Sequence, residues 1–575
     1  MDSNLFKTKS IEQLVGDVEH GGKALRRSLT AWDLTLLGIG AIIGTGIFVL
    51  TGTAAANQAG PAITLSYMAA GLACAFAALC YAEFASMIPI AGSAYTYAYA
   101  TLGELVAWMI GWDLILEYAV GSMTVAIGWS GYMQRLAAGF GITIPVALGA
   151  APPVGIINLP AVIIVLLIMV LLVVGIRESA RFNAVMVAIK LVAVLFFLAA
   201  GLTYVEPANW QPYAPYQWAG VMAAAAVVFF AYIGFDAVST TAEEAKNPQR
   251  DLPIGIIASL VVCTVLYLAV GAVLTGIIPV THYRSVADAL PGVPIVDQLE
   301  STKFLNAPVA YALSVIGLDW AAGLVSAGAV AGITSVLLVM LMSQPRIFFA
   351  MSRDRLLPPG VSKVHPRFGT PYITTIITCV VVALVAGVTQ IQVVGEMTSI
   401  GTLFAFVVVC AAVLRLRYTR PEVKRPFRVP LGPIFPALGI LSCSYLMLSL
   451  PVLTWMRFLV WLDLGMIIYW FYGRTHSPLV NAGEAAARTP MQSLANFINT
   501  LGLLLIFNAF CVVLLGYMTE FGITNETTAK WSELQSLGLS VNADEADTFG
   551  LKFLAVAIAV WAVGFGLTKA SGEKG

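Results

Sequence analysis

Lys190 is the residue of this 575-residue chain that packing explains least well. It stands in the apolar run 182–204, roughly 12 Å beyond Phe182 at the rise of a helix, too deep in a hydrocarbon core to snorkel out. An amine there needs partners or gives up its proton. Lys190 therefore either cycles between charged and neutral or stays protonated and pins backbone carbonyls. Asp113 and Glu117 share one helix face in the run 98–134, with Glu117 the deeper. A mid-membrane acid and a mid-membrane lysine form a proton relay or a static structural pair. Thr334 and Ser335, in the run 319–350, bring hydroxyls to the centre of a bundle, to bond or simply to pack.

Two glycine interruptions offer a second kind of chemistry. Gly38, Gly40, Gly44 and Gly46 crowd the middle of the run 32–52, where they disfavour regular helix. Unwound backbone inside a membrane leaves N–H and C=O groups that only a ligand, an ion or neighbouring protein can satisfy. A half-helix restarting near Gly46 would offer bare N–H groups and a positive dipole end to a carboxylate, and the preceding carbonyls would suit a cation. Close helix packing through small residues is the alternative. Gly234 interrupts the run 217–241 in the same way, and Asp236 is placed to cap the restarted half. Phe230, Tyr232 and Ile233 wall a pocket between the breaks or serve as plain packing.

Other chemistries are poorly supplied. The four histidines, His20, His282, His365 and His476, all sit in polar loops, and there is no HExxH, GxSxG or GxxxxGK[ST] pattern. Neither an enzyme nor an ATP-driven pump is expected, and no metal or organic cofactor. Uphill movement of a solute would have to draw on an ion gradient. The seven cysteines fall within apolar runs and read as small packed hydrophobes.

The elements that position these residues are membrane helices. Hydrophobic residues make up 59% of the chain and charged ones 11%, too few charges for a water-soluble globular protein. About fourteen runs are long enough to cross a hydrocarbon core: 32–52, 62–88, 98–134, 158–175, 182–204, 217–241, 252–279, 319–350, 372–390, 394–417, 434–451, 453–473, 498–520 and 549–568. Lys+Arg and Asp+Glu both number 31, so nothing points to a nucleic-acid partner. Most of the basic residues fall on one side, among them Lys7, Lys9, Lys23, Arg26 and Arg27 and the clusters at 346–367 and 415–428. The positive-inside rule then places both termini in the cytoplasm. No cleaved signal peptide is expected from the polar N-terminal arm. A short apolar helix over 308–317 is too short to span. The first and sixth runs are interrupted at corresponding places and point in opposite directions, which predicts an inverted five-helix repeat with a binding site where the breaks meet. The organisation expected is an arm at 1–30, a transport core at 31–418 with runs one to ten, runs eleven and twelve at 419–475, and the last two runs with the C-terminus at 476–575.

Read with the segments around 42–48 and 234–236, the stretches Glu243-Glu244-Ala245-Lys246-Asn247-Pro248, Ser352-Arg353-Asp354-Arg355-Leu356-Leu357-Pro358-Pro359 and Arg425-Pro426-Phe427-Arg428-Val429-Pro430 resemble the amino acid–polyamine–organocation transporters. Within that superfamily the chain is most similar to the cationic amino acid transporter family, from about Ser28 to Tyr472. The resemblance implies an all-α polytopic membrane protein with a leucine-transporter-like 5+5 inverted repeat, working by alternating access. It implies that Thr45 and Gly46 receive a substrate α-carboxylate, and that carbonyls of Ile42, Phe230, Ala231 and Ile233 receive the α-amino group. It implies further that Lys190 takes the place sodium occupies in sodium-coupled relatives, with Gly40, Ile43 and Ser335 as its neighbours, and that Glu117 matches an acid important in the cationic subfamily.

The function expected is a proton-coupled symporter of L-amino acids, cationic or small neutral, in the plasma membrane, with the proton as coupling ion. An uncoupled exchanger or facilitator and a nontransporting amino acid sensor are the rivals. Intramembrane charge confined to a few sites favours a gated central site over a continuous pore. Membrane lipid surrounds the chain; the sequence identifies no small membrane-protein partner, and the role of the last two runs is not readable.

Overall fold

The computed structural model describes residues 7–9 and 29–477, apart from 89–92, 175–179, 284–295, 297 and 369, together with 498, 501, 502 and 505. Among the described residues the backbone is helical, and strand pairing is limited to the isolated bridges Leu29–Ala245 and Gly149–Asn158.

The helices are α1 Ala31–Ile42, α2 Ile63–Met87, α3 Glu104–Gly139, α4 Leu159–Val174, α5 Ala180–Gly201, α6 Gln217–Val228, α7 Pro248–Ile277, α8 Asp319–Arg353, α9 Tyr372–Val388, α10 Ile391–Thr419, α11 Ile434–Leu448 and α12 Val452–Ile468. They coincide with the first twelve runs. The last two, 498–520 and 549–568, lie outside the described residues except for the four positions named. Among the described residues seven helical stretches are long and apolar enough to cross a membrane, and five further apolar helices are shorter. Two of the five, α1 and α6, are short because they break. Leu167, Val192, Val261, Leu384 and Leu441 are more than half exposed. An outer surface of this kind suits hydrocarbon and not water.

Local chemistry sets several ends. α1 opens with a reciprocal capping box in which the Thr30 N–H donates to Asp33 Oδ2 at 2.9 Å while the Asp33 N–H donates back to Thr30 Oγ1 at 3.4 Å. Pro248 begins α7, where its missing N–H costs nothing. Three expected spans differ in extent. The first does not stop at residue 52: after its break it runs through a π-turn at Gly46–Leu50, Thr51–Ala54, and a second π-turn at Ala55–Ala59. Alanines and the amides of Asn57 and Gln58 carry the extension, and they give no hydropathy signal. The third is two helices, Ser93–Thr101 and α3, parted by Gly103 at φ 104°, a turn that a continuous apolar pattern conceals. The sixth becomes a 3-10 turn at Phe229–Tyr232 and resumes as a 3-10 helix, Asp236–Glu244, rather than as α-helix. The short helix expected before the eighth span is present as Pro308–Val315.

Helix neighbours repeat under an exchange of each helix with the one five places on. α1 against α7 answers to α6 against α2; α3 against α10 answers to α8 against α5; α3 against α4 answers to α8 against α9. The pairs α2–α7, α3–α8 and α4–α9 map onto themselves. This is the packing a 5+5 repeat requires, with α1, α2, α6 and α7 forming one group that carries both breaks. α11 packs on α10, α2 and α6, and α12 on α10 and α3.

Candidate functional site

The two breaks meet. In α1 the helix ends at Ile43, whose ψ of 103° is extended, and winding resumes at Gly46. In the sixth segment Ile233 is extended at φ −60°, ψ 135°, and Gly234 takes φ 118°, a conformation that L side chains rarely adopt. Each break rests its glycine on an alanine of the other. A β-carbon on Gly46 would stand 2.4 Å from Ala231 Cα, and one on Gly234 would stand 2.9 Å from the Ala41 carbonyl carbon. Ordinary side chains cannot be accommodated at either crossing without displacement of backbone.

The residues expected around a substrate are all buried here: Ile42, Thr45, Phe230, Ala231 and Ile233 are at most 4% exposed. Thr45 sits against Gly128 of α3, and its hydroxyl has no hydrogen-bond partner. Gly44 leans on Val336 of α8. The carbonyls have separate fates. Phe230 O accepts the Ile233 N–H at 3.1 Å, so the turn of the break itself uses it. Ile42 O and Ala231 O both face the hydroxyl of Tyr267 in α7. The Gly46 carbonyl accepts from Thr51 Oγ1 at 3.2 Å and from the Tyr67 hydroxyl of α2 at 3.3 Å.

Asp236 does not cap the restarted helix as expected. Its Oδ1 accepts the Gly234 N–H at 3.2 Å, and the N-cap position of the following 3-10 helix is Phe235. The carboxylate thus satisfies a donor of the break itself.

Lys190 is fully buried. Its Nζ donates to Gly40 O of α1 at 2.5 Å, its stem lies against Gly332 of α8, and it lies within electrostatic reach of the Cys263 thiol of α7. Of the expected neighbours, Gly40 makes the bond. Ser335 is linked to the lysine through Gly332, whose carbonyl accepts the Ser335 hydroxyl at 2.9 Å. Thr334 points to another helix and accepts from Trp129 Nε1 of α3 at 2.9 Å.

Glu117 is buried within electrostatic reach of Asp236 of the sixth segment. Asp113, one turn earlier, is fully buried with both oxygens unbonded, against Gly401. Asp113 thus faces α10, and the lysine joins α5 to α1 and α8.

Sequence reasoning missed Tyr67 and Tyr267. The available signal was a hydroxyl in the middle of an otherwise apolar run, on helices that correspond under the repeat. Nothing in the spacing distinguishes such a tyrosine from a packing one. Among the described residues no group of His, Cys, Asp and Glu is arranged to hold a metal.

A family model described as amino acid permease matches residues 29–472. The chain is 50% identical over 484 residues to the branched-chain amino acid permease BcaP of Bacillus subtilis, covering 83% of this chain and 100% of that one. It is 48% identical over 480 residues to the methylthioribose transporter of the same organism, covering 83% of this chain and 99% of that one. It is 31% identical over 605 residues to the vacuolar cationic amino acid transporter 4 of Arabidopsis thaliana, covering 84% and 97%.

Proposed function

Because this chain belongs to the amino acid permease family, a transporter family of the amino acid–polyamine–organocation superfamily, we propose that it is a proton-coupled symporter of L-amino acids working by alternating access. The observation that carries the reading is the meeting of two interrupted helices at Gly46 and Ala231 inside an inverted repeat. On this reading a substrate parts the two crossings, its carboxylate taking the N–H groups at the restart of the first helix beside the Thr45 hydroxyl, and its ammonium taking carbonyls of the two breaks.

Lys190 is the coupling group. Protonated, it holds the Gly40 carbonyl of α1; neutral, it releases it. A proton shifts alternating states only if it interacts differently with each, and this bond supplies the difference. Glu117 serves in a separate acid cluster that adjusts α3 against the sixth segment and α10. The core is residues 31–418, with both termini in the cytoplasm and the chain in the plasma membrane.

Neutral aliphatic side chains are the favoured cargo, since Phe230, Ile233, Ile43 and Val336 around the breaks are apolar and the 50% identical relative is named for branched-chain amino acids. Cationic amino acids are the second reading, favoured by the Arabidopsis relatives.

The test is purified protein in liposomes. Labelled amino acid should accumulate under an acid-outside gradient with sodium absent, and should exchange in counterflow with a panel of unlabelled amino acids. Uptake that needs sodium removes the coupling assignment; a lack of counterflow with every amino acid removes the transport reading.

A further inference from the structure

At the end of the bundle away from the basic cluster that closes α8, a groove of 570 Å³ runs between the end of α3 and the start of α8. Ligand pockets span about 300–1,000 Å³, so the space is of binding size. Arg135 of α3 stands over one end of it. Its Nη2 donates to Ser314 Oγ and, at 3.5 Å, to Asp319 Oδ1, while among the described residues its Nε and Nη1 have no acceptor. A guanidinium carries five N–H donors, so three remain for an occupant of the groove. The Arg135 side chain is 30% exposed and the Asp319 side chain 81%, which places a sheltered cation inside the groove and a carboxylate at its rim.

The rest of the groove is apolar. Phe140 and Trp320 flank its mouth and are both exposed, and the Trp320 ring meets Phe196 of α5 edge-on at 5.7 Å. Tryptophan at the end of a membrane helix is the pattern of the membrane–water interface. Gly323, Leu324 and Ala327 continue the wall along α8. From Asp319 to Ala327 that helix rises roughly 12 Å toward the membrane centre. Glycines keep the groove open: β-carbons on Gly139 and Gly323 would meet nothing within 4 Å.

We propose that this groove binds one phospholipid whose zwitterionic headgroup ends in a primary ammonium, as in phosphatidylethanolamine. The phosphate takes the remaining N–H groups of Arg135, the ammonium takes the Asp319 carboxylate, and an acyl chain lies along Gly323 and Ala327. Charge complementarity selects the headgroup. Arginine and phosphate form charge-assisted hydrogen bonds, and Asp319 beside them, with Glu300 within electrostatic reach of Arg135, opposes a headgroup of net negative charge. A quaternary ammonium has no N–H to give the carboxylate. A free amino acid carries both charges too, but it would leave the apolar wall along α8 uncovered.

The test is native mass spectrometry with thermal melting, on the full chain stripped of lipid in detergent and titrated with phosphatidylethanolamine, phosphatidylcholine or phosphatidylglycerol of identical short chains. The wild type should hold one saturable phosphatidylethanolamine with about tenfold preference over the other two, and its melting temperature should rise as that site fills. Arg135→Gln should weaken this binding about tenfold, the scale of one charge-assisted hydrogen bond. Gly323→Leu fills open space on the chain-binding wall and replaces a helix-interior glycine; it should leave the lipid-free melting temperature unchanged or raised and weaken all three lipids together. Absence of a saturable lipid, equal or better binding of phosphatidylcholine or phosphatidylglycerol, or wild-type affinity in both variants overturns the proposal. So does displacement of the lipid by the transported amino acid, which would make the groove a solute site, and so does a dimer that Gly323→Leu abolishes, which would give the face to a second copy of the chain.

Discussion

The Gly46 α-carbon faces Ala231 so closely that a β-carbon on the glycine would stand 2.4 Å from both Ala231 Cα and Ala231 Cβ. Two helices from opposite halves of the repeat therefore touch through bare backbone at the place where each is interrupted.

Gly46→Ala should consequently act as a wedge. Overpacking of a tight crossing costs about 1–3 kcal/mol, so the melting temperature should fall while transport drops by an order of magnitude or more. Ala231→Gly should recover part of both losses, because it removes one of the two clashing atoms. Equal effects in the single and double variants would show that the crossing is not what limits the protein.

Thr45 gives the opposite pattern. Its hydroxyl is buried and unbonded, so it contributes nothing to the resting fold that Val would not. Thr45→Val should leave thermal stability unchanged or slightly raised, and should raise KM about tenfold if the hydroxyl becomes a ligand group. A variant with wild-type KM would remove Thr45 from the substrate site.

Lys190→Met keeps the length of the side chain and loses its charge. Accumulation driven by an acid-outside gradient should vanish, whereas counterflow at equal pH should persist at a measurable rate. Wild-type uptake should not respond to sodium removal. Gradient-driven accumulation in the methionine variant would leave Lys190 as a structural pin holding α5 to the Gly40 carbonyl.

A buried charge cluster locks the basic end of the bundle. The Glu83 carboxylate of α2 pairs with Arg417 of α10, accepts the Val429 N–H at 2.8 Å, and has Arg425 Nε at 3.5 Å, an ion-pair separation without hydrogen-bond geometry. The Glu83 side chain is 2% exposed and that of Arg417 10%, so loss of one partner leaves a charge with nowhere to hydrate. Glu83→Ala should destabilise by about 3–5 kcal/mol, read as a large fall in melting temperature in detergent. Replacing Glu83 and Arg417 together by Gln and Met should cost much less than Glu83→Ala, because no unpaired arginine remains at that position.

Hydropathy and glycine placement by themselves determined the helix order, the positions of the breaks at Gly46 and Gly234, and the depth of Lys190. These are local properties: a run of apolar residues must be helical to survive in hydrocarbon, and glycine weakens that helix wherever it stands. Tertiary structure decided which groups answer one another. Helix azimuth and tilt settle such matters, and a sequence pattern carries neither. Thus Lys190 reaches the Gly40 carbonyl, Asp236 Oδ1 turns back to the Gly234 N–H, and Phe230 O accepts an N–H of its own turn. Tyr267 shows the limit most plainly. It lies more than two hundred positions from Ile42 in the chain, yet the packing of α7 against both α1 and the sixth segment sets its oxygen between their carbonyls.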